Sequence, residues 1–178
     1  MVKRLFRHCA KPSSQVGVAA VEFGILIIPM LIMLVGVAEY GRAIYQYNTI
    51  VKSVRDATRY LTTVSPGAGY VEAKNLAVCG AIDCQGLVPV VPGLVQGMVK
   101  ICDATTIADC LGVPHSGVVA GTGVGAISAN LVTVKITNAN NNAAGYVYQP
   151  MLPGFSIGGF AVGSITFDPI QNTMRQPL

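Results

Sequence analysis

The first hydrophobic segment of the chain is almost unbroken. From residue 16 to residue 38 every position holds an apolar residue, glycine or proline, with the single exception of Glu22. A helix over residues 17–38 has 22 residues and is ~33 Å long, which matches a bilayer core of roughly 30 Å. The segment therefore predicts a helix that spans a membrane.

Beyond residue 38 the pattern becomes amphipathic. Mostly apolar residues recur at intervals of four and three, which is typical of a helix with one buried face. This stripe consists of Tyr40, Ile44, Tyr47, Val51, Val54, Thr58 and Leu61, and it is widened by Ala43, Ile50 and Ala57. We expect it to pack on the protein's own domain. Residues 18–61 are thus predicted to form one helix, which Ser65-Pro66-Gly67 ends.

The rest of the chain has the pattern of a small α+β head. A short helix is predicted over residues 71–78, and strand patterns follow, most clearly at 131–137 and 155–167. Residues 138–145 have the composition of a turn, so 146–148 are expected to return beside 131–137 as a β-hairpin. The predicted fold class is α+β: a long N-terminal transmembrane and amphipathic helix, followed by a disulfide-bonded, mostly antiparallel β head over 65–178.

The charge distribution predicts the orientation of the helix across the membrane. Residues 1–17 form a basic leader whose Lys3, Arg4, Arg7 and Lys11 account for the whole formal net charge of +4. Cations beside an apolar run stay in the cytoplasm, so we expect a single-pass protein of the inner membrane with a periplasmic head.

Charged residues make up only 11% of the chain, against roughly 25% in ordinary soluble domains. No basic face follows the leader, which argues against a nucleic-acid partner.

The five cysteines divide in the same way. Cys9 lies in the leader, whereas Cys79, Cys84, Cys102 and Cys110 follow the apolar segment. Four cysteines in an oxidising compartment predict two disulfides, with three possible pairings. Their spacings, C-x4-C and C-x7-C, do not match a zinc site, so we expect no metal.

No catalytic constellation stands out. His115 and Ser116 are adjacent and therefore point apart, which argues against a triad with Asp103 or Asp109. The glycine-rich run at 121–125 lacks the lysine of a phosphate-binding loop. We expect Asp83, Asp103 and Asp109, the acids near the cysteines, to be solvated loop residues rather than calcium ligands, because the EF-hand spacing is absent. The chain is predicted to be neither an enzyme nor a cofactor carrier.

Glu22 belongs to a recognisable motif. The run from Gly17 to Phe23, Gly-Val-Ala-Ala-Val-Glu-Phe, resembles a type IV prepilin processing site. Together with Pro29, with Glu39-Tyr40-Gly41-Arg42-Ala43 and with the tail Arg55-Asp56-Ala57-Thr58-Arg59-Tyr60, it resembles the TadE-like family of pseudopilins from tight-adherence (Tad/Flp) pilus systems. The tail departs from the family pattern at Val54 and Thr58, where alanine is usual. The resemblance covers about a quarter of the chain.

The resemblance implies a maturation step and a set of partners. A prepilin peptidase would cut after Gly17, and Glu22 of one subunit would then pair with the new α-amino group on Val18 of its neighbour. Other pilins, the pilus secretion platform and membrane lipid are the further partners that it implies. A carboxylate that snorkels to the membrane interface is the simpler alternative for Glu22.

Two features of the apolar segment bear on packing between helices. Ala20-x-x-x-Gly24 is a small-x-x-x-small pair that allows a neighbouring helix to approach closely. Pro29 removes one backbone donor in the middle of the span. A different interpretation of the chain also stays open: a signal-anchored periplasmic binding module outside any filament, which keeps its leader or is cut after the small residues Gly36-Val37-Ala38.

Overall fold

The computed structural model describes residues 16–106, 115–120, 126–138, 144–151, 156–157, 160–161 and 163–176. The element order is α1 (Val16–Leu61), α2 (Tyr70–Cys79), a 3-10 turn (Gln96–Met98), β1 (Val99–Cys102), β2 (Val118–Ala120), β3 (Ile127–Ile136), β4 (Val147–Tyr148), β5 (Ser156–Ile157), β6 (Phe160–Ala161), β7 (Ile165–Thr166) and β8 (Ile170–Gln176). Both predicted helices and the α+β class are confirmed.

The contacts of the chain divide it into two units, Met1–Tyr40 and Gly41–Leu178. In the first unit, the described residues belong to α1. The second unit holds the remaining part of α1, together with α2 and the strands. The domain limits expected from the sequence, at residues 17, 61 and 65, stay a prediction.

The sheet of the second unit is built around β3. This ten-residue strand pairs antiparallel with β1, β2 and β8. Val134 is opposite Ile101 on β1 and opposite Asn172 on β8, so these two strands occupy the two edges of β3. Alternate residues of the strands face a core that includes one side of α1. The buried side chains of this core include Ile50, Val54, Leu61, Val99, Val132, Val134 and Ile136.

The buried stripe of α1 differs from the predicted one. Tyr40 is 64% exposed, and Ile44 and Tyr47 are more than 40% exposed. The buried positions near them are Ala43 and Gln46, with Ile50, Ala57 and Leu61 continuing along the helix. Val54, Thr58 and Leu61 of the predicted stripe are buried as expected, and so are the flanking residues Ile50 and Ala57. The prediction is wrong over residues 40–47, where Ala43 and Gln46 are buried in place of Tyr40, Ile44 and Tyr47.

The predicted hairpin is wrong in its pairing. β4, at Val147–Tyr148, pairs with β7 at Ile165–Thr166 and not with β3. The reason is that β1 and β8 already occupy both edges of β3 over its final residues, which leaves no free edge for 146–148. Residues 139–143 of the expected turn lie outside the described residues.

Candidate membrane and assembly helix

The first part of α1 exposes its apolar side chains on all sides. Leu26, Met33 and Val37 are 68–73% exposed, and no residue of the most apolar 18-residue window is buried. Soluble monomers rarely expose contiguous apolar surface of this extent. The helix is long and apolar enough to cross a membrane, so lipid or other apolar helices are the surroundings that suit it.

Glu22 is the one charged side chain within this apolar surface. It is exposed, and within the described residues it makes no ion pair or hydrogen bond. In the helix it lies four residues, or one turn, after Val18. A carboxylate transferred into a membrane without a partner costs about 2.5–3.5 kcal/mol on insertion scales. No described residue of α1 forms an ion pair or hydrogen bond with Glu22 that would offset this cost.

The predicted packing residues do not share one side of the helix. At about 100° per residue, the packing residues Ala20 and Gly24 lie roughly 40° apart, and Gly17 of the processing motif lies within roughly 60° of both. Glu22 lies roughly 140–160° from each of them, and Pro29, seven residues further on, falls on the Glu22 side. The small-residue side and the side with Glu22 and Pro29 are thus nearly opposite, and each is open to a different neighbour.

The glycines of this segment are not required for packing against the part of the chain that the structure describes. A Cβ atom added at Gly17, Gly24 or Gly36 would meet no other atom within 4 Å. None of these glycines has a positive φ. Glycine inside a helix costs up to about 1 kcal/mol relative to alanine, and neither local packing nor backbone conformation explains that cost here.

Pro29 leaves a second polar group without a helical partner. α1 continues as a helix through Pro29. Because proline has no N–H, the carbonyl of Ile25 cannot accept the hydrogen bond that residue 29 normally donates. Glu22 and this carbonyl are polar features of an otherwise apolar surface.

In the second unit, Asp103 is the centre of a buried polar cluster. Its Oδ2 accepts hydrogen bonds from the Gly67 amide at 2.8 Å and from the Tyr70 hydroxyl at 2.6 Å. Its Oδ1 accepts from the amide and hydroxyl of Thr105 and from the Thr106 amide. Burial raises the pKa of Asp103, but the hydrogen bonds from Tyr70, Thr105 and Gly67 outweigh it and lower the pKa to about 2. The expectation of a solvated loop acid was wrong, since Asp103 is fully buried.

The cysteines are paired as far as the described residues extend. Cys79 and Cys84 form a disulfide with a Cα–Cα distance of 5.7 Å. Cys102 is also disulfide-bonded. Cys110 and Cys9 lie outside the described residues. The first bond closes the short loop after α2, which the Asn75 carboxamide also holds by donating to the carbonyl of Ile82 at 2.8 Å.

His115 and Asp103, two of the residues considered for catalysis, are hydrogen-bonded to groups other than Ser116. The Nε2 atom of buried His115 lies 2.9 Å from the Thr133 hydroxyl, which in turn contacts the Thr173 hydroxyl at 2.8 Å. Asp103 is held by the loop cluster described above, and Ser116 is exposed. Asp109 and the glycine run at 121–125 lie outside the described residues. Among the residues that are described, no three His, Cys, Asp or Glu side chains are grouped as for a metal ion.

Sequence reasoning missed two residues that hold α1 to the rest of the second unit. The side chain of Gln176, near the end of β8, donates to the carbonyls of Leu61 and Val64 and so caps the end of α1. The Tyr146 hydroxyl donates to the Pro92 carbonyl at 2.6 Å and to Gln46 at 3.3 Å. These contacts join residues 54–115 positions apart, and no local pattern indicates them.

Comparison with known proteins gives a family match that lies within α1. Residues 17–59 match the family model described as TadE-like protein, which confirms the resemblance seen in the sequence. TadE-like proteins are a pilus-associated structural family. No curated protein and no solved structure matches the chain. The connection with a Tad pilus system therefore rests on the segment that contains the exposed apolar helix.

Proposed function

We propose that the chain is a structural, pseudopilin-like subunit that assembles or primes a Tad/Flp-type adhesive pilus. In this proposal the subunit is anchored in the inner membrane by α1, with the basic leader in the cytoplasm and the head in the periplasm. A prepilin peptidase removes the leader after Gly17. Other pilins or pseudopilins, the secretion platform and membrane lipid are its partners.

The observation that carries the proposal is the coincidence of two features in one segment. The family match covers residues 17–59, and the first part of that segment exposes its apolar side chains around the whole helix. An apolar helix of this kind can pass from lipid into a bundle of like helices without meeting water.

The glycines support association between helices. A Cβ atom at Gly24 would meet no described atom within 4 Å, and Ala20 lies four residues before it on the same side. Small residues at this spacing let two membrane helices approach closely, which gains van der Waals contact. The intrinsic cost of Gly24 is offset in an assembly, where a neighbouring helix fills the open space.

The charge of Glu22 supports a defined register. Cleavage after Gly17 would create an α-amino group on Val18, with a reference pKa of about 7.7–8.0. Pairing of this amine with Glu22 of a neighbouring subunit would compensate two charges that are each costly in lipid. The Val18 nitrogen also lies only one helical turn from Glu22 of the same chain, about 6 Å along the axis. The same two groups could therefore also pair within one subunit, and a substitution of Glu22 removes both pairings.

The first test is the N-terminus of the mature protein. Intact mass or N-terminal sequencing of the chain purified from membranes should give a protein that begins at Val18. A start at Met1 would exclude processing, and a start at Glu39 would indicate a conventional signal peptidase. Either of these results would contradict the pseudopilin proposal and favour a periplasmic binding module.

The second test addresses the pairing. Glu22→Gln removes the charge at nearly constant volume, so membrane insertion should be retained while the sedimentable pilus fraction falls. Glu22→Asp keeps the charge and should assemble better than the Gln variant. Equal assembly of wild type and Glu22→Gln would refute pairing between subunits, whereas loss of membrane insertion in both variants would refute the register role.

A further inference from the structure

A cavity of about 260 Å³ lies beside α1 in the second unit. Its lining comes from residues 47–55 of α1 and from residues 169–172, where β8 begins. Its hydrogen-bonding side chains are those of Tyr47, Arg55, Gln171 and Asn172. Val51 and Val54 contribute apolar surface, and no Asp or Glu lines it. The cavity is therefore a positively charged recess with several donors.

The polar groups of this cavity lack partners within the described residues. No ion pair or hydrogen bond joins the side chains of Tyr47, Arg55 or Asn172 to another described residue, and the buried Nδ2 of Asn172 has no acceptor. Asn172 follows the same alternation as Ile170, which faces the core. An apolar residue would suit that position better than an amide without a partner.

β8, which begins beside the cavity, pairs only with β3 among the described strands. Its other edge therefore has no strand partner within the part of the chain that the structure describes. An edge strand with free N–H and C=O groups accepts an extended polypeptide segment by main-chain hydrogen bonding, and neighbouring pockets then select its side chains.

We propose that this cavity binds the carboxylate of an acidic side chain, presented by a partner polypeptide that lies along the open edge of β8. The guanidinium of Arg55 would make a bidentate ion pair with the carboxylate, the geometry that Arg favours. The Tyr47 hydroxyl supplies a further donor. A volume of about 260 Å³ is smaller than the usual 300–1,000 Å³ of small-molecule sites and suits one inserted side chain. The proposal stands independently of the pilus role.

The experiment uses the full-length chain in detergent micelles, labelled with ¹⁵N-arginine. The probe is a capped pentapeptide, acetyl-Thr-Val-Glu-Val-Thr-amide, and the readout is the Nε–Hε signal of Arg55, assigned by its absence in Arg55→Gln. We expect a saturable shift of this signal with the Glu peptide and at least about tenfold weaker binding of the peptide with Gln in place of Glu, since charged hydrogen bonds dominate. Binding to each variant is followed by the peptide's own signals.

Arg59→Gln is the matched control, because Arg59 is exposed on α1 one turn away and does not line the cavity. It should change the affinity less than about twofold, whereas Arg55→Gln should weaken binding at least about tenfold. Asn172→Asp should also weaken binding, because it places a carboxylate in the cavity. Equal binding of the Glu and Gln peptides, equal effects of the two arginine variants, or tighter binding of glutarate or inorganic phosphate than of the Glu peptide would each overturn the proposal.

Discussion

Residues 17–40 and 41–61 belong to one helix but place their apolar side chains in opposite surroundings. Met33 and Val37 are more than 70% exposed, whereas Ile50, Ala57 and Leu61 are completely buried. The first part exposes apolar side chains around the helix, interrupted by Glu22. The second part has one apolar face, and that face packs into the core of the second unit.

The difference shows that helical periodicity predicts a helix but not whether its apolar side chains are buried in the protein's own core. In residues 41–61, apolar burial against the sheet contributes to the stability of the second unit. In residues 17–40, none of the described apolar side chains is buried in a core. In the proposed function, lipid and neighbouring helices surround these side chains instead. Substitutions in the two parts should therefore change different measurements.

The largest effect on folding is expected from Ile50→Ala. Ile50 is completely buried, so truncation removes apolar contacts and leaves a cavity, which typically costs about 2–5 kcal/mol. The free energy of unfolding, measured by urea titration of the full-length chain in micelles with tyrosine circular dichroism, should fall by this amount. A change below about 0.5 kcal/mol, the range of surface substitutions, would show that this face of α1 is not packed on the sheet.

The second prediction concerns pH and Asp103. Its folded pKa of about 2 is below the value in an unfolded chain, near 3.9. Its contribution is thus fully present above about pH 5 and is lost as the pH falls toward 2. Asp103→Asn should cost about 2 kcal/mol at pH 7 and progressively less at lower pH, measured by urea midpoints between pH 7 and pH 2.

Tyr70→Phe gives a graded version of the same test. It removes one donor to Asp103 and keeps the carboxylate, so the pKa of Asp103 in the folded protein should rise. The loss of stability on acidification should then begin at a higher pH than in the wild type. A constant difference between wild type and Asp103→Asn at every pH would contradict the role assigned to the ionised carboxylate.

A smaller effect is expected at Gln176. Gln176→Leu removes the donor to the carbonyls of Leu61 and Val64, but it also removes a buried Oε1 that has no partner. The two changes partly cancel, so we expect a loss of about 1 kcal/mol in the free energy of unfolding. Gln171→Leu, an exposed position on the same strand, is the control and should change it by less than about 0.5 kcal/mol. Equal losses in both variants would contradict the capping role.

Features that depend on residues close together in the sequence were predicted, whereas features that depend on distant residues were not. Apolar runs, helical periodicity and the Pro-Gly stop are local, and they predicted α1 and α2 to within a few residues. The pairing of β4 with β7 depends on which edges of β3 are already occupied. That competition involves strands more than 30 residues apart, so alternation within one strand carries no information on it.

The same limit applies to the sites. Gly17, Val18 and Glu22 are recognisable because their motif is contiguous, and the family match includes them. Asp103, in contrast, has the sequence context of a loop acid. It is buried because Gly67 and Tyr70, more than 30 residues earlier, supply its donors. A charged residue among small polar residues gives no local indication of such a partner.

The smallest effect on folding is expected from Ile28→Ala, which deletes the same atoms as Ile50→Ala in the exposed part of α1. Ile28 is 55% exposed and fills no core, so the free energy of unfolding of the second unit should change by less than about 0.5 kcal/mol. The measurement is the same urea titration, and carbonate extraction of membranes checks that one truncation in the apolar segment leaves the chain membrane-bound. A loss as large as that of Ile50→Ala would mean that residues 17–40 pack within the folded protein, which would remove the basis for assigning their apolar surface to lipid and neighbouring helices.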